Sequence, residues 1–114
     1  MTDEQVQYAV KLSKTLIGLI QADKDKVMKR EELENLATDI LFWQTSFVKV
    51  KIEAEQAYRL RIRDIMEKEN ASFAGAENKA MCEEVYALHK KVKHIYELAE
   101  EKIRLLKIIL GSSY

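Results

Sequence analysis

Proline is absent from the chain, glycine occurs only at positions 18, 75 and 111, and Cys82 is the single cysteine. Each scarcity excludes something. With no proline and no glycine between 18 and 75, almost nothing interrupts a helix across the first half of the sequence. One cysteine rules out an internal disulfide and the paired thiolates of a structural zinc site, and it fits a reducing, cytoplasmic setting. The glycines stand apart, so no glycine-rich phosphate loop can be drawn. No apolar run approaches the roughly 18 residues a membrane-spanning helix needs, and acidic Asp3 and Glu4 stand where a signal peptide would carry positive charge. The chain reads as soluble and untargeted, with no membrane partner. Nineteen basic and nineteen acidic residues cancel, so no overall field draws it towards nucleic acid.

What remains is a helical pattern. Apolar residues make up 47% of 114, enough for one core, and residues 1–114 read as a single helical domain. Thr2 precedes Gln5 by the three residues of a capping box, which predicts a first helix over about 3–21. Val6, Ala9, Val10, Leu16, Ile17 and Ile20 give it one face, and Tyr8, Leu12 and Leu19 widen that face until the helix is expected to be buried on more than one side. Residues 22 to 26 are short and polar and suit a turn. From Leu33 through Leu36, Ile40, Trp43, Phe47, Val50, Ala54 and Tyr58 to Ile65 the spacing by three and four predicts a second helix over about 30–69, roughly 60 Å long at 1.5 Å per residue. Gln44, Thr45 and Ser46 are the place where it would kink. The stretch from Val48 to Ile52 alternates like a strand but has no partner run to pair with, and so is read as helix.

Asn70 and Ser72 supply a cap on either side of a second turn. Met81, Val85, Leu88, Val92, Ile95, Ala99, Ile103, Leu106 and Leu110 then form a seam close to that of a coiled coil, predicting a third helix over about 73–110 that stops at Gly111, with Ser112, Ser113 and Tyr114 as a frayed end. The expected fold is all-α: a long antiparallel helical hairpin of 30–69 against 73–110, with the N-terminal helix forming a three-helix bundle at one end. Position i on one rod should face about position 142 minus i on the other, so Phe47 meets Ile95. Phe42 and Trp43 are expected in the bundle core beside Phe47.

The far end of such a hairpin would be a bare arm. It displays Tyr58, Leu60, Ile62, Met66 and Tyr86, taken here as candidate protein-interaction residues, and a second copy is the simplest cover. A homodimer that also docks an unidentified protein partner is the first functional reading. The alternative is a nucleic-acid-associated accessory protein using Arg59, Arg61, Arg63, Lys90, Lys91 and Lys93. Against it, alternate residues of a helix point about 200° apart and acidic residues are interspersed, so ordinary surface pairing is the simpler account.

Catalytic, cofactor and metal sites are read as none. His89 and His94 lie five residues apart, about 140° around a helix, and do not chelate as an i, i+4 pair does. Glu83 and Glu84 beside Cys82 disfavour a thiolate.

Tyr58-Arg59, the turn Ala-Gly-Ala-Glu-Asn-Lys-Ala (residues 74 to 80), then Tyr86, Lys90, Tyr96 and the closing run from Glu101 to Lys107 resemble small all-helical hairpin proteins encoded by tailed phages and related mobile elements. The resemblance covers roughly residues 54 to 110. It implies an accessory factor or inhibitor that binds a host, defence or replication protein in the host cytoplasm, without catalysis of its own.

Overall fold

In the computed structural model, residues 1–111 are described; Ser112, Ser113 and Tyr114, the expected frayed end, lie outside the described residues. Those described form four helices and no strand: α1 (Asp3–Ile20), α2 (Arg30–Glu69), α3 (Phe73–Ala80) and α4 (Glu84–Leu110). The molecule measures 58 × 26 × 22 Å, its long axis close to the length expected of α2 alone.

α1 begins as its capping box dictates. The Gln5 amide donates to the Thr2 hydroxyl at 3.1 Å and the Thr2 amide donates to the Gln5 side chain at 2.8 Å, satisfying two donors that the first turn leaves open. Its buried residues are Ala9, Leu12, Ser13 and Leu16, a stripe stepping by three and four. Val6, Tyr8 and Val10 are exposed, so the expected burial on more than one side does not occur. Ser13 tolerates its buried place because its hydroxyl donates to the Ala9 carbonyl at 2.7 Å.

α2 runs unbroken for 40 residues. The polar run expected to kink it is absorbed: the Thr45 and Ser46 hydroxyls turn back to the carbonyls of Leu41 and Phe42, at 2.8 and 3.5 Å. The strand-like stretch from Val48 to Ile52 is helical throughout. Asn70, at φ 49°, closes the helix in the left-handed region that asparagine enters at little cost.

The second rod departs from expectation. Instead of one helix over 73–110, the chain breaks at residues 81 to 83, and Glu83 adopts an extended backbone ahead of α4. No proline or glycine causes this. The Glu83 carboxylate is gripped by the Arg61 guanidinium from α2, Nε at 2.7 Å and Nη2 at 2.9 Å, and this fork-to-fork geometry holds the residue where a continuous helix would not place it. Consequently Met81 is exposed, while Val85 and Leu88 are half-buried rather than in a continuous seam.

Packing gathers into two clusters. The larger contains Ala9, Leu12 and Leu16 of α1, Leu36, Ala37, Ile40, Phe47, Val50 and Ala54 of α2, and Val92, Ile95, Ala99, Ile103 and Leu106 of α4. The smaller contains Ile62 and Ile65 of α2 with Ala76 and Ala80 of α3. The short alanine side chains let α3 lie close against α2. Cross-links set the relative placement of α2 and α4. The Arg30 guanidinium donates to the Leu110 carbonyl at 2.7 Å, and both this pair and Arg61 with Glu83 lie within two residues of the expected register. Lys102 of α4 meets Asp23 of the first connection at 2.7 Å, with both side chains about four-fifths buried.

Phe42 does not enter the core. It is 63% exposed and touches Trp43 edge-on at 5.3 Å, Trp43 itself being half-buried against the large cluster. Successive helical residues point about 100° apart, so a stripe through Ile40, Gln44 and Phe47 turns Phe42 outward. Among the described residues no helix is long and apolar enough to cross a membrane.

Candidate functional site

The expected interaction residues divide once α3 is in place. Ile62 is sealed beneath Ala76 and Ala80 and reaches no partner. Leu60 points outward at 61% exposure, whereas Tyr58, Met66 and Tyr86 are half-buried. α3 packs chiefly on α2, at the register expected of the return rod, so Ile62 lies in the seam between the two helices and is not offered on the surface of the arm.

The expected basic surface is likewise divided. Arg61 binds Glu83 and also Asp64 at 2.9 Å, while Arg59 lies against Glu55 at 2.7 Å. Hydrogen bonding to Glu83 raises the Arg61 guanidinium still further above its ordinary range, and the same bond lowers the Glu83 carboxyl. Asp64 is lowered too, first through its bond to Lys68 and then through Arg61. Arg63, Lys90, Lys91 and Lys93 remain on the exposed surface. Of the six expected phosphate-binding residues, Arg61 is thus engaged in tying α2 to the segment ahead of α4, and Arg59 in a pair within α2.

Where α2, α3 and α4 converge, an aromatic stack forms that the sequence reading did not single out. Tyr58 lies against Tyr86 with ring centres 5.1 Å apart and against His89 at 5.3 Å, the latter pair tilted by only 9°. The register made this legible: position 58 should face about 84, which brings Tyr86 and His89 within reach. A cleft of about 500 Å³ opens over the stack, lined among others by Glu77, Lys90, Lys93 and Glu97. Burial raises the Tyr58 phenol, with Glu77 and then Tyr86 adding to it. His89 Nδ1 is buried with no hydrogen-bond partner among the described residues. On α4 the neighbouring Lys51 ammonium of α2 sits 4.5 Å from the centre of the Tyr96 ring. Among the described residues no group of three or more histidine, cysteine, aspartate or glutamate side chains gathers as a metal site would require. Cys82 is exposed, its thiol 3.6 Å from the Asn78 carbonyl.

His89 gives this region a pH dependence. Burial lowers its imidazole below the ordinary value of 6.5; Glu55 opposes the shift, while Lys93, Arg59 and Lys51 reinforce it. Tyr58 of α2, Glu77 of α3 and Tyr86 of α4 complete its surroundings. Because the folded value lies below the unfolded one, the unfolded chain takes up its proton first as pH falls through 6.5. Stability therefore declines below that pH until the folded imidazole also protonates. Glu83 and Asp64 carry lowered values and lose their contributions only when pH approaches their ordinary 4.5 and 3.8 from above. Urea midpoints at pH 7.5 and 5.5 should accordingly differ in the native chain and converge in His89→Phe, which keeps the stack but cannot titrate. An unchanged difference in the variant would assign the slope elsewhere.

A third surface lies on the outer side of α4. Leu98, Leu105, Ile108 and Ile109 are 39 to 66% exposed, while Val92, Ile95, Ala99, Ile103, Leu106 and Leu110 of the same helix are buried. α4 thus carries two apolar stripes, one satisfied by the core and one facing outward.

No family model, no curated protein and no solved structure matches the chain.

Proposed function

We propose that the protein is a non-enzymatic protein-interaction module that works as a homodimer. In this reading residues 1–114 form one domain, α2 runs antiparallel to α3 and α4 as a long hairpin, and α1 completes a three-helix bundle at one end. The carrying observation is apolar surface beyond what the core uses: Phe42, Leu60, Ile108 and Ile109 are each more than 60% exposed on a chain whose buried clusters are already closed. Ion pairing supports the non-enzymatic part, since Arg59 and Asp64 are engaged in pairs along α2 and Arg61 also ties α2 to Glu83 ahead of α4. The same pairs favour a protein partner over nucleic acid.

The resemblance to phage-encoded hairpin proteins adds the proposal that a host, defence or replication protein is the further partner, met in the host cytoplasm, with the chain acting as an accessory factor or inhibitor. Leu60, Tyr58, Met66 and Tyr86 are the residues offered to it, Leu60 on one face of the arm and Tyr58 with Tyr86 on another. Light scattering after gel filtration at micromolar concentration should give close to twice the 13.3 kDa chain mass. A mass of one chain across the accessible concentration range would defeat the dimer.

A further inference from the structure

The segment from Met81 to Glu83 joins two helices that are out of phase with each other. At 100° per residue, Ala76 and Ala80, the buried residues of α3, lie about 120° around from the buried stripe of α4 if the helix is drawn straight through. The break absorbs that difference, so α3 and α4 both turn their buried side chains to α2.

Nothing in residues 81 to 84 asks for a break. Methionine and glutamate are good helix formers, and neither glycine, proline nor a β-branched residue stands among the four. The break also forfeits bonds. The Cys82 and Glu83 amides reach the Lys79 and Ala80 carbonyls, only three residues back, and the Glu84 and Val85 amides donate to no backbone carbonyl among the described residues. Drawn straight, the helix would bond those last two amides to the carbonyls of Ala80 and Met81. A straight helix also has a seam of its own. Met81 falls in line with Val85, Leu88 and Val92, Ala74 lies seven residues before it, and Glu77 and Asn78 flank the seam without occupying it. In the kinked helix Met81 is instead 46% exposed.

Two settings therefore compete, and they differ by a turn of α3 about its own axis. We infer that Arg61 selects between them: its two-point grip on Glu83, Nε at 2.7 Å and Nη2 at 2.9 Å, holds the kinked setting, and without that grip α3 rotates by about 120° and runs straight into α4. Arg61 is itself braced on α2 by Asp64, at 2.9 Å, which aims the guanidinium at the joint. The rotation changes what the tip of the molecule presents. Ala76 and Ala80 turn away from α2, and Met81 turns in towards it. Glu77 and Met81 thereby leave the wall of the cleft over Tyr58, Tyr86 and His89, so that the cleft in its present shape belongs to the kinked setting.

Thiol labelling on a Cys82→Ser background reads which side of α3 faces α2, Cys82 itself being exposed. Ala80→Cys and Met81→Cys are made separately and treated with a small maleimide. With Arg61 and Glu83 in place, position 81 should react at least about tenfold faster than position 80, which is fully buried and reacts only through local opening. Adding Arg61→Met leaves residues 81 to 84 untouched and should reverse that order, and the Glu84 and Val85 amides should gain protection from hydrogen exchange. Glu84→Ala removes a neighbouring charge outside the grip and should leave the order as it was. An Arg61→Met chain in which position 81 stays the faster overturns the inference. So does one in which both positions react quickly, because α3 has then left α2 without finding a second setting. Reversal in Glu83→Ala alone, with none in Arg61→Met, would trace to the helix preference of alanine and overturn it equally.

Discussion

Phe47→Ala is expected to lower the free energy of unfolding by about 3–5 kcal/mol, the range for truncating a fully buried aromatic ring. Phe47 is 0% exposed and among the largest side chains so enclosed, and it lies in the cluster where α1, α2 and α4 meet. Since domains of this size are stable by roughly 5–15 kcal/mol, one substitution would remove a large share of the total. Phe42→Ala provides the contrast. Its ring is 63% exposed and keeps only the edge-on contact with Trp43, so its loss should cost less than about 1 kcal/mol. Urea unfolding of the two variants beside the native chain measures the difference. Equal midpoints would mean that the core runs through a different face of α2.

These two phenylalanines also show what the sequence could and could not disclose. Both were expected in the core, yet strict helical spacing from Ile40 admits Gln44 and Phe47 and turns Phe42 away. Gln44 is in fact buried despite its polarity. Period was a better guide than residue type. The capping box at Thr2 and Gln5 was legible because it is a local pattern of side-chain and backbone chemistry, complete within four residues. The break before α4 was not. Residues 81 to 84 contain no helix breaker, and the residue that holds Glu83 is Arg61, 22 positions earlier in the chain. A local reading of spacing has no access to such a partner. Ile62 was within reach of the register, which sets it opposite position 80, and it is buried there against Ala76 and Ala80 instead of serving as a contact residue.

The candidate surfaces follow the same division. The stack of Tyr58, Tyr86 and His89 could be reached from the register of the two rods, because the register needs only helix lengths and the position of the turn. The outer stripe of α4 was visible as spacing in Leu98, Leu105 and Ile109, but the stronger inner seam through Ile95, Ala99, Ile103 and Leu106 masked it. A helix that is apolar on two sides reads as simply apolar until the structure shows which side is already covered.

The second large effect concerns how the two clusters share the stability of the molecule. Ile65→Ala deletes most of a side chain that is 1% exposed, and a buried isoleucine truncation costs about 2–5 kcal/mol. Where that loss is felt depends on connectivity. The smaller cluster has four buried residues, two of them alanines that bury little area, and α3 is only eight residues long. A helix of that length does not persist without tertiary packing. The ion pair of Lys79 with Glu69 is exposed and adds little. Removing Ile65 should therefore release α3 as a local opening before the rest unfolds. Hydrogen exchange by mass spectrometry should show the amides of residues 76 to 80 losing most of their protection in Ile65→Ala, while those of 95 to 106, anchored in the larger cluster, keep theirs. Equal loss of protection in both stretches would show instead that α3 and the larger cluster unfold as one cooperative unit, with the Arg61 to Glu83 joint transmitting the damage along α4.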